Sequence, residues 1–221
     1  MHTQRTAFVT GANGFLGVNL VEQLMAGKWR VIALHRRQSD LTYLKRFPVV
    51  LVEGSIEDRE SLEQALPEGI DVLFHVAADV SFWSRNNDRQ TRTNVDGTRH
   101  VVAAALKKGV KKLVCTSTTS VYGFQTAPFD ESAAHLGRGS WFNYMHTKAL
   151  AEEEVRLGIE RGLDATFLNP ANIVGPYDRN NWSRLIRLAA DNKLPSIPPG
   201  GGTFCHVKEV ARAHISAVEK G

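Results

Sequence analysis

Eight residues near the start of the chain, Thr10-Gly11-Ala12-Asn13-Gly14-Phe15-Leu16-Gly17, limit the choice of fold more than any other stretch. They follow the short apolar run Thr6-Ala7-Phe8-Val9 and precede a segment of helical spacing, Val18–Gly27. Glycine at every third position between a strand and a helix needs a reason. Gly11 permits a tight turn, Gly14 lets backbone approach a pyrophosphate, and Gly17 lets the helix pack near the sheet. Amides at the helix N-terminus then face the phosphates. In this strand–turn–helix setting dinucleotide binding is the expected reading.

The remainder of the chain repeats the alternation. Strands are expected at Thr6–Val9, Arg30–Leu34, Val49–Val52, Val72–Val76, Lys112–Thr116 and Ala165–Asn169. Helical spacing marks Val18–Gly27, Asp58–Leu66, Gln90–Lys108 and Asn143–Gly162. Short apolar strands alternating with helices imply βαβ units and a parallel sheet covered on both faces. The expected fold class is therefore α/β, a Rossmann-type doubly wound sheet with its ligand at the carboxyl ends of the strands. The rhythm changes after Pro170. Residues 175–204 read as one helix and a Pro/Gly-rich loop, and Lys208–Lys220 as a last helix. We expect 1–174 to be the dinucleotide-binding domain and 175–221 a partial substrate cover with the final helix.

Composition narrows the function classes. A chain of 221 residues can bury one substantial core. The net charge of +4 comes from scattered Lys and Arg, without the basic run that nucleic-acid binding would favour. A cleft for a phosphate-bearing small ligand explains the charge as well. No apolar run approaches the roughly 18 residues of a membrane span and no signal-like leader opens the chain, so a cytoplasmic protein is expected. Cys115 and Cys205 lack C-x-x-C spacing and are expected to be packing residues in a reduced compartment. No H-x-x-x-H or carboxylate cluster points to a metal.

Where a carboxylate would bind a ribose 2′-hydroxyl, this chain has His35-Arg36-Arg37. Two guanidiniums suit a 2′-phosphate, so NADP is expected, with NAD as the alternative. The spacing G-x-x-G-x-x-G resembles the extended branch of the short-chain dehydrogenase/reductase superfamily, the NAD-dependent epimerase/dehydratase family. Further stretches carry the same resemblance: Gly54-Ser55-Ile56, His75-Val76-Ala77-Ala78, Thr93-Asn94-Val95-Asp96-Gly97-Thr98, Asn169-Pro170-Ala171-Asn172-Ile173-Val174-Gly175-Pro176, and Phe204-Cys205-His206-Val207. In the fourth, Asn169 replaces the family's usual Arg. The resemblance implies cofactor contacts from Asn13, Phe15, Leu16, Ser55, Ile56, Ala77, Ala78, Thr116, Pro170 and Ile173 beside the glycines. His75–Asp79, Tyr144–Glu152 and Leu194–Gly202 look most like dihydroflavonol-reductase and hydroxysteroid-dehydrogenase members. The family also implies a longer capping lobe beyond a point like Gly221, so the cover is expected to be truncated, and it implies a homodimer.

The chemistry is read from Tyr144-Met145-His146-Thr147-Lys148. Four residues of helix bring Tyr144 and Lys148 onto one face. A phenol titrates near 10, and a nearby ammonium stabilises the phenolate and lowers that value. By resemblance Thr118 takes the place of the family's catalytic serine, with Ser117 as the alternative. Asn94 either supports Lys148 or caps its own helix. His75 should pack beside the cofactor, His146 should point away from the Tyr–Lys pair, and His206 should satisfy local backbone. Phe82-Trp83 either line a substrate pocket or anchor a loop, whereas Trp141 and Phe142 are expected in the core.

Sugar-nucleotide dehydratases carry an Asp-Glu pair where this chain has Thr119 and Ser120, so water elimination is not expected. The expected activity is NADP-dependent reduction of a ketone or aldehyde, a CH–OH oxidoreductase in which Tyr144 donates the proton. A nucleotide-sugar epimerase and a non-catalytic NADP sensor are the alternatives.

Overall fold

Along β1 (Thr6–Thr10) successive side chains point to opposite faces of a sheet, and each face meets its own set of helices. Ala7 and Val9 join one buried cluster with residues of α1 (Phe15–Ala26) and α7 (Val207–Lys220). Phe8 joins the other, with residues of α2 (Arg59–Ala65), α4 (Gly97–Lys107) and α5 (Asn143–Glu160). Phe8 and Phe74 are fully buried, one on each side. The computed structural model describes residues 4–125, 127–179, 181–196 and 201–221.

The sheet continues through β2 (Arg30–His35), β3 (Val50–Glu53), β4 (Val72–His75), β5 (Lys112–Thr116) and β6 (Ala165–Leu168). Its order is β3-β2-β1-β4-β5-β6 and every pairing is parallel. The order reverses between β1 and β4, which opens a crevice at their carboxyl ends. The fold is thus the doubly wound α/β sheet that the alternation implies. All six expected strands form, with ends displaced by a residue at most.

The glycine turn sits at that reversal. Gly11 has φ of +67°, and a Cβ there would lie 2.7 Å from the Ala77 backbone. At Gly17 a Cβ would lie 2.1 Å from the Gly11 carbonyl oxygen, so α1 passes directly under the turn. Helix α1 begins at Phe15, three residues before the expected Val18, because the last glycine lies within it.

Elsewhere the structure differs in detail. The expected helix Gln90–Lys108 is α3 (Asn87–Thr91), a π turn over Arg92–Asp96, and α4 in continuous succession. Two three-residue strands were not expected: β7 (Asn172–Val174) and β8 (Phe204–His206) pair in parallel as a separate small sheet. Helix α6 (Trp182–Ala190) buries none of its residues. Helix α7, by contrast, returns to the main core through Val207, Val210, Ala211 and Ala217. Of the expected motif Leu194–Gly202, positions 197–200 lie outside the described residues. Cys115 is a buried packing residue whose thiol is pushed up to about 11 by burial, and Cys205 is partly buried. Among the described residues no helix is long and apolar enough to cross a membrane, and no cluster of metal-ligating side chains occurs.

Candidate active site

The strand reversal opens into a cavity of about 1450 Å³. Gly11, Asn13 and Gly14 form its floor, Ala77 and Ala78 flank them from the end of β4, and Ser55 and Ile56 follow β3. One end is bordered by His35, Arg36 and Ser39, the other by Phe82, and Trp182, Leu185 and Leu188 of α6 lie across it. A Cβ on Gly11 would collide with the Ala77 backbone at 2.7 Å, so glycine there lets the turn press against the end of β4, while Gly11 and Gly14 line the cavity where an anionic group could approach. The shape and lining fit an extended dinucleotide.

The remaining expected cofactor residues lie outside the cavity lining. Leu16 and Gly17 are buried in α1 beneath the turn, and Phe15 and Ile173 pack against the α1–α7 core. The Pro170 carbonyl accepts from the Thr119 amide at 3.1 Å. Arg37 does not accompany Arg36. Its guanidinium pairs with Glu53 at 2.9 Å on the outer surface, because Glu53 stands beside His35 in the parallel register of β2 and β3. Arg36 instead borders the cavity, and its amide donates to Ser39 Oγ at 3.1 Å. Sequence reading missed Ser39; its position three residues after Arg36, as in a side-chain-stabilised turn, was the available signal.

Beyond the Phe82 end lie the expected catalytic groups. Tyr144 and Lys148 share one face of α5, as the spacing predicts. Lys148 is buried, and its Nζ donates to the Thr116 carbonyl at 2.8 Å. The Thr118 hydroxyl lies near enough to the Tyr144 phenol to lower its proton affinity, and it donates to Ser120 Oγ at 3.2 Å. Ser117 Oγ is buried with no hydrogen-bond partner, and of the two hydroxyls Thr118 is the one that acts on the Tyr144 phenol. The electrostatics differ from the simple expectation. Burial raises the phenol above its ordinary value, with the Thr118 hydroxyl opposing it in part. Burial likewise holds the Lys148 ammonium below its ordinary value. In the protein alone Tyr144 is therefore protonated at neutral pH.

Asn94 sits in the π turn, a geometry often found at functional sites. Its Oδ1 accepts from the Asp79 amide at 2.8 Å, and its Nδ2 donates to the Asp79 carbonyl at 3.0 Å and to Thr147 Oγ1 at 3.2 Å. It ties the strand-end loop to α5 and makes no side-chain cap. His75 is buried between Thr10 Oγ1, 2.8 Å from Nδ1, and Thr98 Oγ1, 2.9 Å from Nε2. Desolvation lowers its imidazole to about 3. His146 bonds the Arg138 carbonyl, and His206 Nδ1 accepts from the Lys208 amide, both local contacts.

An aromatic wall adjoins Tyr144. Phe82 and Phe142 stack with ring centres 5.5 Å apart, and each lies within 6.4 Å of the Tyr144 ring. Trp141 was expected in the core but is 87% exposed, extending the wall outward from Phe142. An aromatic residue leading into a helix gives no sequence signal for which way it faces.

Reversed parallel strands, a glycine turn at the reversal and a Tyr–Lys face beside it define a dinucleotide-binding protein of the short-chain dehydrogenase/reductase type. The chain belongs to the NAD dependent epimerase/dehydratase family, whose model matches residues 7–221. It is 38% identical over 223 residues to sterol demethylase protein B of Methylococcus capsulatus, covering 98% of this chain and 66% of that protein. A Synechocystis sp. protein provisionally named dihydroflavonol 4-reductase is 32% identical over 218 residues, with 97% and 63% covered. Among solved structures, the Bordetella bronchiseptica enzyme WbmH in complex with NAD+ superposes with a TM-score of 0.85 at 26% identity, over 98% of this chain and 73% of that one. The chain thus spans about two thirds of the length of these curated relatives. Similar proteins are named as reductases, a 4-epimerase and a decarboxylase.

Proposed function

We propose that this chain carries the cofactor-binding and proton-donating part of an NADP-dependent oxidoreductase that reduces a ketone or aldehyde. The observation that carries the reading is the protonated Tyr144 phenol, beside the Thr118 hydroxyl and one helical turn from the buried Lys148. When bound, NADPH supplies the hydride. The Thr118 hydroxyl and the Tyr144 phenol both hydrogen-bond the substrate oxygen, polarising the carbonyl. As that oxygen becomes an alkoxide, Tyr144 gives it the phenolic proton, and the product is the alcohol. The Lys148 ammonium stabilises the phenolate left behind until solvent reprotonates it. A phenol raised by burial favours this direction, since reduction needs the protonated form.

Arg36 is the group we assign to the 2′-phosphate, with Ser39 beside it. The flat wall of Phe82, Phe142 and Trp141 favours an apolar carbonyl compound over a highly hydroxylated one. Residues 1–174 supply cofactor binding in this reading, and α6 covers the cavity. The test is NADPH oxidation by the full-length protein against a panel of ketones and aldehydes, with Tyr144→Phe alongside. Turnover should fall about 10²- to 10⁴-fold in the variant while NADPH binding persists. Equal turnover in both proteins would refute the role of Tyr144. Interconversion of a nucleotide sugar without net cofactor oxidation would replace the reading with an epimerase.

A further inference from the structure

Lys148 is an ammonium with 5% of its surface exposed, and its hydrogen bond goes to a neutral carbonyl. Among the described residues it makes no ion pair within 4.0 Å. A charge in that setting loses its proton unless something nearby compensates it. One turn further along α5 stands Glu152, 2% exposed, on the same helix face. Its Oε1 accepts from Asn169 Nδ2 at 2.8 Å, and that same amide donates to the Thr118 carbonyl at 3.1 Å. Two successive turns of α5 therefore hold two carbonyls of one loop: Lys148 takes Thr116, and Glu152 takes Thr118 through Asn169.

We propose that Glu152 is a positioning residue, a buried carboxylate that keeps Lys148 charged and, through Asn169, fixes the backbone of Thr118. The proposal rests on the reading of Lys148 as the residue that stabilises the Tyr144 phenolate. It deepens that reading by naming what makes Lys148 fit for the role.

The groups around the pair support it. Acting on Lys148 are His75 from β4, Cys115 from β5 and Glu152 on its own helix, with Tyr144 one turn before it. His75 is neutral above about pH 3 and the Cys115 thiol is raised to about 11, so neither supplies a negative charge near neutral pH. Glu152 is the acidic side chain on the same helix face, and it opposes the effect of burial on Lys148. Around Glu152 lie Arg156 at 3.1 Å, His135 at 3.5 Å and the Tyr122 ring. The Arg156 side chain is 50% exposed, so solvent screens it. At the buried end the partner is Asn169, where the family pattern has Arg. A neutral amide satisfies Oε1 without adding charge; a guanidinium there would add a second, buried cation to the one that Arg156 supplies at Oε2.

The experiment follows the Lys148 side chain directly, by NMR titration of the protein labelled at lysine Nζ and Cε, with the signal assigned through Lys148→Met. Glu152→Gln should lower the Lys148 midpoint by about one pH unit, a tenfold loss of proton affinity. Glu152→Asp, which keeps the charge, should remain closer to wild type. Asn169→Arg should move the midpoint down as well, without leaving a buried acceptor unpaired, and decides the matter if Glu152→Gln fails to fold. An unchanged midpoint in Asn169→Arg, or in a folded Glu152→Gln, overturns the proposal. No substrate or turnover enters this measurement, so its failure is separate from failure of the reductase reading.

Discussion

The N-cap of helix α1 and one face of helix α6 line the same cavity, and the two helices are held in opposite ways. Helix α1 buries Leu16, Val18, Leu20, Val21 and Leu24 between the sheet and α7, and its N-cap Gly14 is part of the cavity floor. Helix α6 presents Trp182, Leu185 and Leu188 to the cavity but buries no residue anywhere. The floor is thus a by-product of the core: the forces that fold the sheet also place the glycine turn. The roof is held by contacts at its edges, such as Arg187 to the Arg179 carbonyl at 2.9 Å and Arg179 to Asp40. Geometry for the shared ligand is set from below, and adjustment is left to the side above.

The sharpest way to break this contrast is Gly17→Ala. The added Cβ would meet the Gly11 carbonyl at 2.1 Å, a backbone atom with nowhere to go. Overpacking of this kind should remove about 3 kcal/mol of stability, lowering the melting temperature by roughly 10 °C, and cofactor binding should go with it. Next in size is the pair Arg36→Ala and Arg37→Ala. The first should weaken NADPH about tenfold in a binding titration and leave NADH unchanged; loss of one charged hydrogen-bonding group is of that order. The second should alter neither, since Arg37 is paired on the surface with Glu53. Equal effects from both would place the 2′-phosphate elsewhere. Smallest is Leu185→Ser on α6, at a side chain 44% exposed. The melting temperature should stay within about 2 °C, because exposed substitutions fall within roughly 0.5 kcal/mol. The affinity for cofactor or carbonyl should nevertheless fall a few-fold. Destabilisation comparable to Gly17→Ala would mean that α6 is a core element after all.

The same division decides what could be read in the sequence. The floor is legible in the sequence: every strand of the sheet shows as an apolar run, and the glycine spacing marks the turn at the reversal. So is the Tyr144–Lys148 face, because helical spacing alone aligns positions four apart. What escaped depends on partners distant in the chain. β7 and β8 have three residues each, too few to show a period, and they meet across some thirty residues of sequence. Arg36 and Arg37 look alike in sequence, but only the register of β2 against β3 shows that Glu53 takes the second. Glu152 reads as one acid among three, Glu152-Glu153-Glu154, until burial singles it out. Trp141 reads as core because large aromatics usually are, and this one faces outward.

The buried His75 has a consequence for acid. Thr98 Oγ1 donates its proton to the Asn94 carbonyl at 2.6 Å, so it must accept from His75 Nε2. Nδ1 is then left bare, and Thr10 points its own hydroxyl proton at it while taking the Val76 and Ala77 amides on its lone pairs. Every proton in this row runs one way, from the dinucleotide turn towards the π turn, and one tautomer satisfies it. A second proton on the ring would confront the Thr10 hydroxyl head-on and force it to reverse, just ahead of Gly11. Because the unfolded imidazole takes that proton near 6.5 and the folded one only near 3, each pH unit between them favours the unfolded chain by about 1.4 kcal/mol. Acidification below about pH 6.5 therefore weakens the fold through a ring that must stay neutral for the nucleotide cradle to form.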